Sequence, residues 1–592
     1  MRSHVPLVII LHIIASLLLT GPVSAHQNQQ QQEQRHQKLV LVLSYEFVDP
    51  IFSGNGVHAR TIVRSLDRLG FDTVTVSARP SDFITEYESL QSLKDLTAST
   101  QLHKVVTIPV NGSDWYSLGH NSAWHQFART AWIPGSQQQQ GEETYRRLHE
   151  LFYGSEINGN GDASSPLVAR FDAIITIDWH GALLLGFLGH EFPDLLQVNR
   201  PSICYMSFRV FSESKEMHAS PLMGKFYRDV ESFACSISDT VIALSRKDAL
   251  SLERLLIQRR NDDGLNSIHD PDQTLDFQSD PFKGDYQIFT TMFGELIDHY
   301  LPGLTSPFQQ FGVLMPPLRD DLEEQPKSGN SKSIFDNICP TDQPRCLLTC
   351  CVRLSPEKRA EHFVKVVNAM KNDTQTLGFR PLLCAHGMSH SKYAQETIGS
   401  LKSIWGRNAI ILEQFLTSSE LQQLFAKTFL NFHPPLSDAF GMTVAESAYF
   451  GAPSVVHYLP EFASNSSCIN LDGSQDVRPA AGAIFPLVGQ GRNNIESTDL
   501  NVIESLINTA PTVGVTELLR PECNESFAVS WSESPSSIAH QIGELFRSRQ
   551  GLEKVQQTSS RSQTKVHGWT PADFDQALYH ILVALNPHGH LV

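Results

Sequence analysis

The stretch that decides the reading of this chain is residues 433–457, HPPLSDAFGMTVAESAYFGAPSVVH. A Pro-rich turn at Pro434 and Pro435 leads into the loop Ser437-Asp438-Ala439-Phe440-Gly441. Met442, Ala445, Ala448 and Tyr449 then recur at helical spacing, and Gly451 is placed to close that helix. Ser454 to His457 is an apolar run that predicts a buried strand. The N–H groups at a helix start lack internal partners and sit at the positive end of the dipole. A glycine just before them lets a ligand approach the backbone, so this loop and helix start suit a phosphate. Carboxylates flank it, Asp438 before the turn and Glu446 one turn into the helix. Spacing alone fits a capped amphipathic helix with two solvated acids equally well.

Working outward, Leu39 to Ser44 reads as a central parallel strand. A loop Ser53-Gly54-Asn55-Gly56 follows, then a helix from Val57 with Ile62, Val63, Leu66 and Leu69 on one face. Thr73 to Val76 completes a β-α-β unit whose glycine loop faces the cleft. Phe171 to Ile177 predicts a strand ending in Asp178-Trp179-His180-Gly181, which puts His180 where open α/β sheets bind ligands. Cys204 to Val210 is a further strand-like run, and Tyr227 to Ser245 reads as helix then strand. In the second half, a strand over Arg345 to Val352 precedes Arg353-Leu354-Ser355-Pro356-Glu357-Lys358. Ser355 suits an N-cap and Pro356 a first helical position. Lys358 then falls in a first helical turn, where the dipole disfavours a cation unless an anion is near. Strands at Pro381 to Ala385 and Phe429 to Phe432 and a helix over Glu420 to Lys427 complete the unit. Trp569, Phe574, Leu578, Ile581 and Leu582 mark an amphipathic helix near the end.

The pattern D-x-F-G-x4-E followed by A-x3-G-A-P resembles the acidic E-x7-E motif of retaining family-4 glycosyltransferases, with Asp438 in place of the usual first Glu. Asp178-Trp179-His180 resembles a segment of the glycogen- and starch-synthase-like members. Arg353 to Lys358 resembles G-R-L-x3-K-G without its flanking glycines. The resemblance implies an α/β protein of the GT-B arrangement, two facing Rossmann-like domains with a cleft between them. It implies retaining, metal-independent transfer of a sugar, most simply a hexose, with no cofactor. The donor would be a nucleoside diphosphate sugar and the acceptor a hydroxyl on a glycan, lipid or small molecule.

By the same resemblance, Asp438 and His180 contact the donor sugar, and Arg353 and Lys358 neutralise the leaving diphosphate. Gly54 and Gly56 lie beside the diphosphate. Phe440, Gly441, Met442 and Thr443 bind it at the helix start, and Glu446 holds the ribose. The last helix would cross back to the first domain. A catalytically inactive GT-B protein that binds a nucleotide sugar or glycan is the alternative, motivated by Asp438 and the missing glycines. A GT-B epimerase or phosphorylase is disfavoured by Arg353 and Lys358 beside the acidic motif.

The 592 residues exceed one core, so several domains are expected. We expect a signal peptide or anchor at 1–25, a Gln-rich spacer at 26–38 and an acceptor domain at 39–325. A linker at 326–342, a nucleotide-sugar domain at 343–560 and a returning helix at 561–592 follow. Arg2, the apolar run Val5 to Leu19 and Val23-Ser24-Ala25 carry the first expectation and place the protein in the secretory lumen or outside the cell, without a membrane span once cleaved. Sequons stand at Asn111, Asn372, Asn465 and Asn524. A net charge of −17 without a basic stripe argues against nucleic acid and anionic membranes as partners. The cysteine count of 9 is odd, so at least one is free or intermolecular, and Cys346, Cys350 and Cys351 read as small buried hydrophobes. No metal is expected, because no Asp-x-Asp stands at a suitable strand end.

Overall fold

The computed structural model describes residues 38–48, 54–80, 103–110, 171–197, 200–213, 221–261 and 310–318, then 338–385, 391–459, 484–485 and 497–584, apart from a few positions within and beside these ranges. The expected leader, the spacer, most of 135–165 and of the linker, His386, Gly387, Phe415, and the sequons at Asn111 and Asn465 lie outside the described residues.

The apolar runs at the centre of each sheet become strands because they are covered on both faces. Strand β1 (Leu39–Ser44) is buried at every position. It is joined by β2 (Asp72–Pro80), β3 (His103–Val110), β4 (Phe171–Ile177), β5 (Ser202–Ser207), β6 (Thr240–Ala243) and β7 (Gln310–Val313). The order is β7-β6-β5-β4-β1-β2-β3, every pair parallel. Helices α1 (Gly54–Arg68), α2 (Asp178–Glu191), α3 (Pro221–Ile237) and α4 (Arg246–Asn261) connect or cover them. The order reverses between β1 and β4, which opens a crevice at their C-terminal ends. Gly181 lets α2 press on β1, since a Cβ there would lie 2.6 Å from the Leu43 carbonyl oxygen.

The second sheet contains β8 (Leu347–Cys350), β9 (Arg380–Cys384), β10 (Ile410–Leu412), β11 (Thr428–His433), β12 (Ser454–His457) and, later in the chain, Phe527–Val529. Its order is β10-β9-β8-β11-β12 and then Phe527–Val529, again parallel throughout. Its helices are α5 (Ala360–Ala369), α6 (Lys392–Trp405), α7 (Ser418–Lys427) and α8 (Met442–Tyr449). The order reverses between β8 and β11, so the loops after those two strands meet. The two facing Rossmann-like lobes expected from the sequence are thus present.

After β12 the chain returns to the first lobe. β13 (Ile484–Phe485) pairs antiparallel with β7, and α9 (Ser497–Thr509) packs on α4. The chain then re-enters the second sheet as β14 (Phe527–Val529), followed by α10 (Pro535–Arg547) and α11 (Arg549–His567). α12 (Pro571–Ala584) ends on the first lobe, where Asp575 pairs with Arg68 at 2.6 Å and Phe574 meets His58 edge-on.

Several local expectations need correction. The helix expected from Val57 begins at Gly54, so Gly54 and Gly56 stand in its first turn and not in a loop before it. The strand expected over 345–352 is confined to Leu347–Cys350. Lys358 ends a 3-10 turn, Pro356–Lys358, and α5 starts only after Arg359, whose φ is 53°. The Ser355 hydroxyl bonds Glu357 at 2.5 Å and accepts from Arg353 instead of capping a helix. Cys346 is not a plain buried thiol. It is disulfide-bonded to Cys339, and Cys523 is disulfide-bonded as well.

Candidate functional site

The loops after β8 and β11 bring Lys358 and Asp438 together. Lys358 Nζ donates to Asp438 Oδ2 at 2.7 Å, and both side chains are largely covered, at 15% and 12% exposure. His433, the last residue of β11, places Nε2 3.2 Å from the same oxygen. Arg209, from the loop after β5 in the first lobe, places Nη2 3.7 Å from Oδ1. Burial alone would raise the Asp438 pKa, but Lys358, His433 and Arg209 hold it well below the usual carboxylate range. Burial lowers the Lys358 pKa, with Arg209 and Arg353 adding to the effect and Asp438 opposing it.

The backbone beside this pair turns sharply into α8. Gly441 adopts φ 93°, a left-handed conformation that turns the chain sharply into α8 and is costly for a side-chain-bearing residue. The start of α8 has no side-chain cap. A buried Asn431 fixes that helix: its Nδ2 donates to Thr443 O at 3.4 Å and to Ser454 Oγ at 2.9 Å, while its Oδ1 accepts from Thr349 at 3.2 Å. Phe440 is buried, and Met442 and Thr443 are half-buried at the helix start. Glu446 is buried, and its charge helps push up the Cys351 thiol, which Cys384 and burial raise first.

Arg353 stands apart from the central pair. Its Nη2 meets Glu357 Oε1 at 2.7 Å and its Nε donates to Ser355 Oγ at 3.3 Å. Burial would raise Glu357, but Arg353 and Ser355 hold it below its ordinary value. The two cations paired by sequence therefore play different parts, Lys358 on Asp438 and Arg353 on its own helical neighbour.

His180 lies at the first-lobe crevice, in the first turn of α2. It is stacked against Tyr45 and Trp179, with centroids 5.4 Å and 5.0 Å away. Nδ1 is 3.3 Å from Ile177 O, and burial lowers its pKa to about 3, so the ring is neutral. Asp178, just before it, has φ 59°. Its carboxylate accepts from Asn55 Nδ2 at 2.8 Å and from Phe208 N at 3.3 Å. Burial raises its pKa to about 7, with those two bonds opposing. Gly54 is exposed with open space around it, while Gly56 is buried.

Sequence reasoning missed Arg209, His433, Asn431 and the Asn55–Asp178 bond. His433 opens the deciding stretch and Arg209 closes a strand-like run, so their positions were visible. Their meeting at Asp438 depends on contacts between distant parts of the chain. Among the described residues, no group of three or more His, Cys, Asp or Glu is arranged to hold a metal ion. Among them, too, no helix is long and apolar enough to cross a membrane.

No protein-family model and no curated protein matches this chain. Solved structures do. Sucrose-phosphate synthase from Thermosynechococcus elongatus is similar with a TM-score of 0.50 at 11% identity, over 93% of this chain and 99% of that one. Anabaena HepE in complex with UDP and glucose is similar with a TM-score of 0.51 at 11% identity, over 93% of this chain and 100% of that one. The fold is the GT-B arrangement of two Rossmann-like lobes.

Proposed function

We propose that the chain is a retaining glycosyltransferase of family-4 type that transfers a sugar from a nucleoside diphosphate sugar to a hydroxyl acceptor without a metal. The observation that carries this reading is the convergence of Lys358, His433 and, from the opposite lobe, Arg209 on Asp438 beside the start of α8. In such a transfer the bond from the anomeric carbon to the diphosphate oxygen breaks, and its electron pair leaves with the diphosphate. The acceptor oxygen bonds the anomeric carbon, and its proton passes to the departing phosphate. Cations and helix N–H groups that await the growing charge lower the barrier. Lys358, Arg209 and the α8 start supply them, and Arg353 adds a second charge nearby. Asp438 and Glu446 are the acceptors for donor hydroxyls, the sugar and the ribose respectively. We assign His180 to the sugar side of the cleft as a neutral imidazole.

The leader-like residues 1–25 support a lumenal or secreted protein, and the Cys339–Cys346 disulfide is at home in an oxidising compartment. HepE is described with UDP and glucose, which makes UDP-glucose the first donor to try. The test is a thermal-stabilisation screen with UDP-, GDP- and ADP-sugars, because a ligand that binds the native state raises its melting temperature. A concentration-dependent rise with one donor class is expected. No rise with any nucleotide sugar at millimolar concentration would reject the reading.

One observation favours a second reading, a nucleotide-sugar-binding protein that does not transfer. The cation that should meet the diphosphate is already paired with Asp438, which is one methylene shorter than the usual Glu. Stabilisation by a donor without turnover on water or any acceptor would support it.

A further inference from the structure

The return of the chain to the first lobe after β12 has a direct connection to the site acid. Helix α9 docks on α4 through Ile503 and Ile507, which are buried with Leu250 and Ile257. Arg254 of α4 reaches Glu504 of α9 at 2.6 Å and Glu213 at 2.6 Å. Glu213 ends the short turn that follows Arg209. That turn is held by Glu231, which accepts from Phe211 N at 2.6 Å and from Ser212 Oγ at 2.6 Å. Beyond α9 the chain crosses to the second lobe and pairs with the Asp438 loop. Asp438 N donates to Thr512 O at 2.9 Å, Val513 bridges Asp438, and Thr512 Oγ1 donates to Leu436 O at 2.6 Å. The loops carrying Arg209 and Asp438 are therefore both tied to one segment.

We propose that α9, with Thr512 and Val513 beyond it, forms a positioning strap that holds Asp438 against Lys358 and Arg209 by anchoring its loop to the first lobe, with Thr512 as the positioning residue. The geometry argues for this over simple packing. A helix docked on the first lobe is followed, at Thr512, by a hydrogen bond to the residue whose side chain faces that lobe's Arg209. The donor site is then set only when α9 is seated, so docking of the lobes and donor affinity rise together. This proposal rests on the donor-binding reading of Asp438.

The test uses the full chain and UDP-glucose titrated by calorimetry, with amide hydrogen exchange over residues 436–441. Thr512→Val keeps the shape and removes the hydroxyl bond to Leu436. It should weaken UDP-glucose binding about three- to ten-fold, the range for one hydrogen bond, and speed exchange at 436–441. Thr512→Ser restores the hydroxyl and should bind within about two-fold of wild type. Ile503→Ala, which loosens the packing of α9 on α4, should produce the same faster exchange and weaker binding. Wild-type affinity in both Thr512→Val and Ile503→Ala, or equal loss in Thr512→Ser, overturns the strap. If Thr512→Val fails to fold, Ile503→Val decides the matter by the same two readings. If wild type binds no nucleotide sugar, the functional reading fails separately. The strap is then judged by exchange alone, faster exchange at 436–441 in Ile503→Ala supporting it and unchanged exchange overturning it.

Discussion

The two lobes use buried charge in opposite ways. In the first lobe, Asp178 and Glu231 are fully buried, and burial raises them and the half-buried Asp248 to about 7, about 8 and about 6. Their nearest partners are largely neutral: backbone N–H groups, the Ser212 and Ser245 hydroxyls and the Asn55 amide. His58 and His180 are lowered by burial to about 3 in the same lobe. In the second lobe Asp438, largely covered, is driven the other way because Lys358, His433 and Arg209 surround it. A charged partner thus reverses the direction in which burial drives a carboxyl. The first lobe uses its acids to shape loops, above all the one that presents Arg209. The second uses cations to hold an anion.

The comparison breaks most visibly at Asp438. Removing the charge while keeping the shape, Asp438→Asn, leaves Lys358 buried without its counter-ion. A loss of about 3–5 kcal/mol in unfolding free energy is expected, measured by denaturant titration at pH 7. A loss below about 1 kcal/mol would mean the pair behaves like an exposed surface one. Gly441→Ala should cost about 1–2 kcal/mol, because a Cβ is disfavoured at φ 93°, and it should also weaken donor binding. A full-strength binder of unchanged stability would show that the α8 start is not under conformational constraint.

A pH-dependent effect at Glu231 sharpens the first-lobe side. Glu231 has a folded pKa of about 8 against a reference of 4.5, so between those values the folded chain holds a proton that the unfolded chain has released. Its contribution therefore weakens as pH rises through that window. Glu231→Gln removes the titration. Its stability relative to wild type should improve from pH 5 to pH 8, by at most about 1.4 kcal/mol per pH unit. A difference that does not change with pH would show that Glu231 titrates as an ordinary carboxyl.

The fold was legible because most strands are apolar runs too dense for any other place than a covered parallel sheet, as in Leu39–Ser44 and Phe171–Ile177. Asp438, Gly441 and Glu446 were legible as one loop-and-helix unit because they sit close in sequence. It was not legible where contacts join distant segments. Arg209 precedes Asp438 by more than two hundred positions, and no local spacing relates them. Lys358 was placed at the correct strand end, yet its partner could not be read, because Asp438 comes from a different strand loop. The two-residue strand β13 is too short to carry a period, so the return of the chain to the first lobe left no signal. The helix start at Gly54 was missed because glycine is a poor helix former, and tertiary context, including the Asn55–Asp178 bond, overrode that propensity.

The central claim is that Lys358 stabilises charge that grows during transfer. The most direct test is single-turnover transfer from the donor found in the stabilisation screen, comparing wild type with Lys358→Ala. An interaction stronger in the transition state than in the ground state affects rate more than binding. The account predicts a rate lower by about 10²–10³ with a much smaller change in donor affinity. A Lys358→Ala protein that stays folded and transfers at the wild-type rate would contradict it.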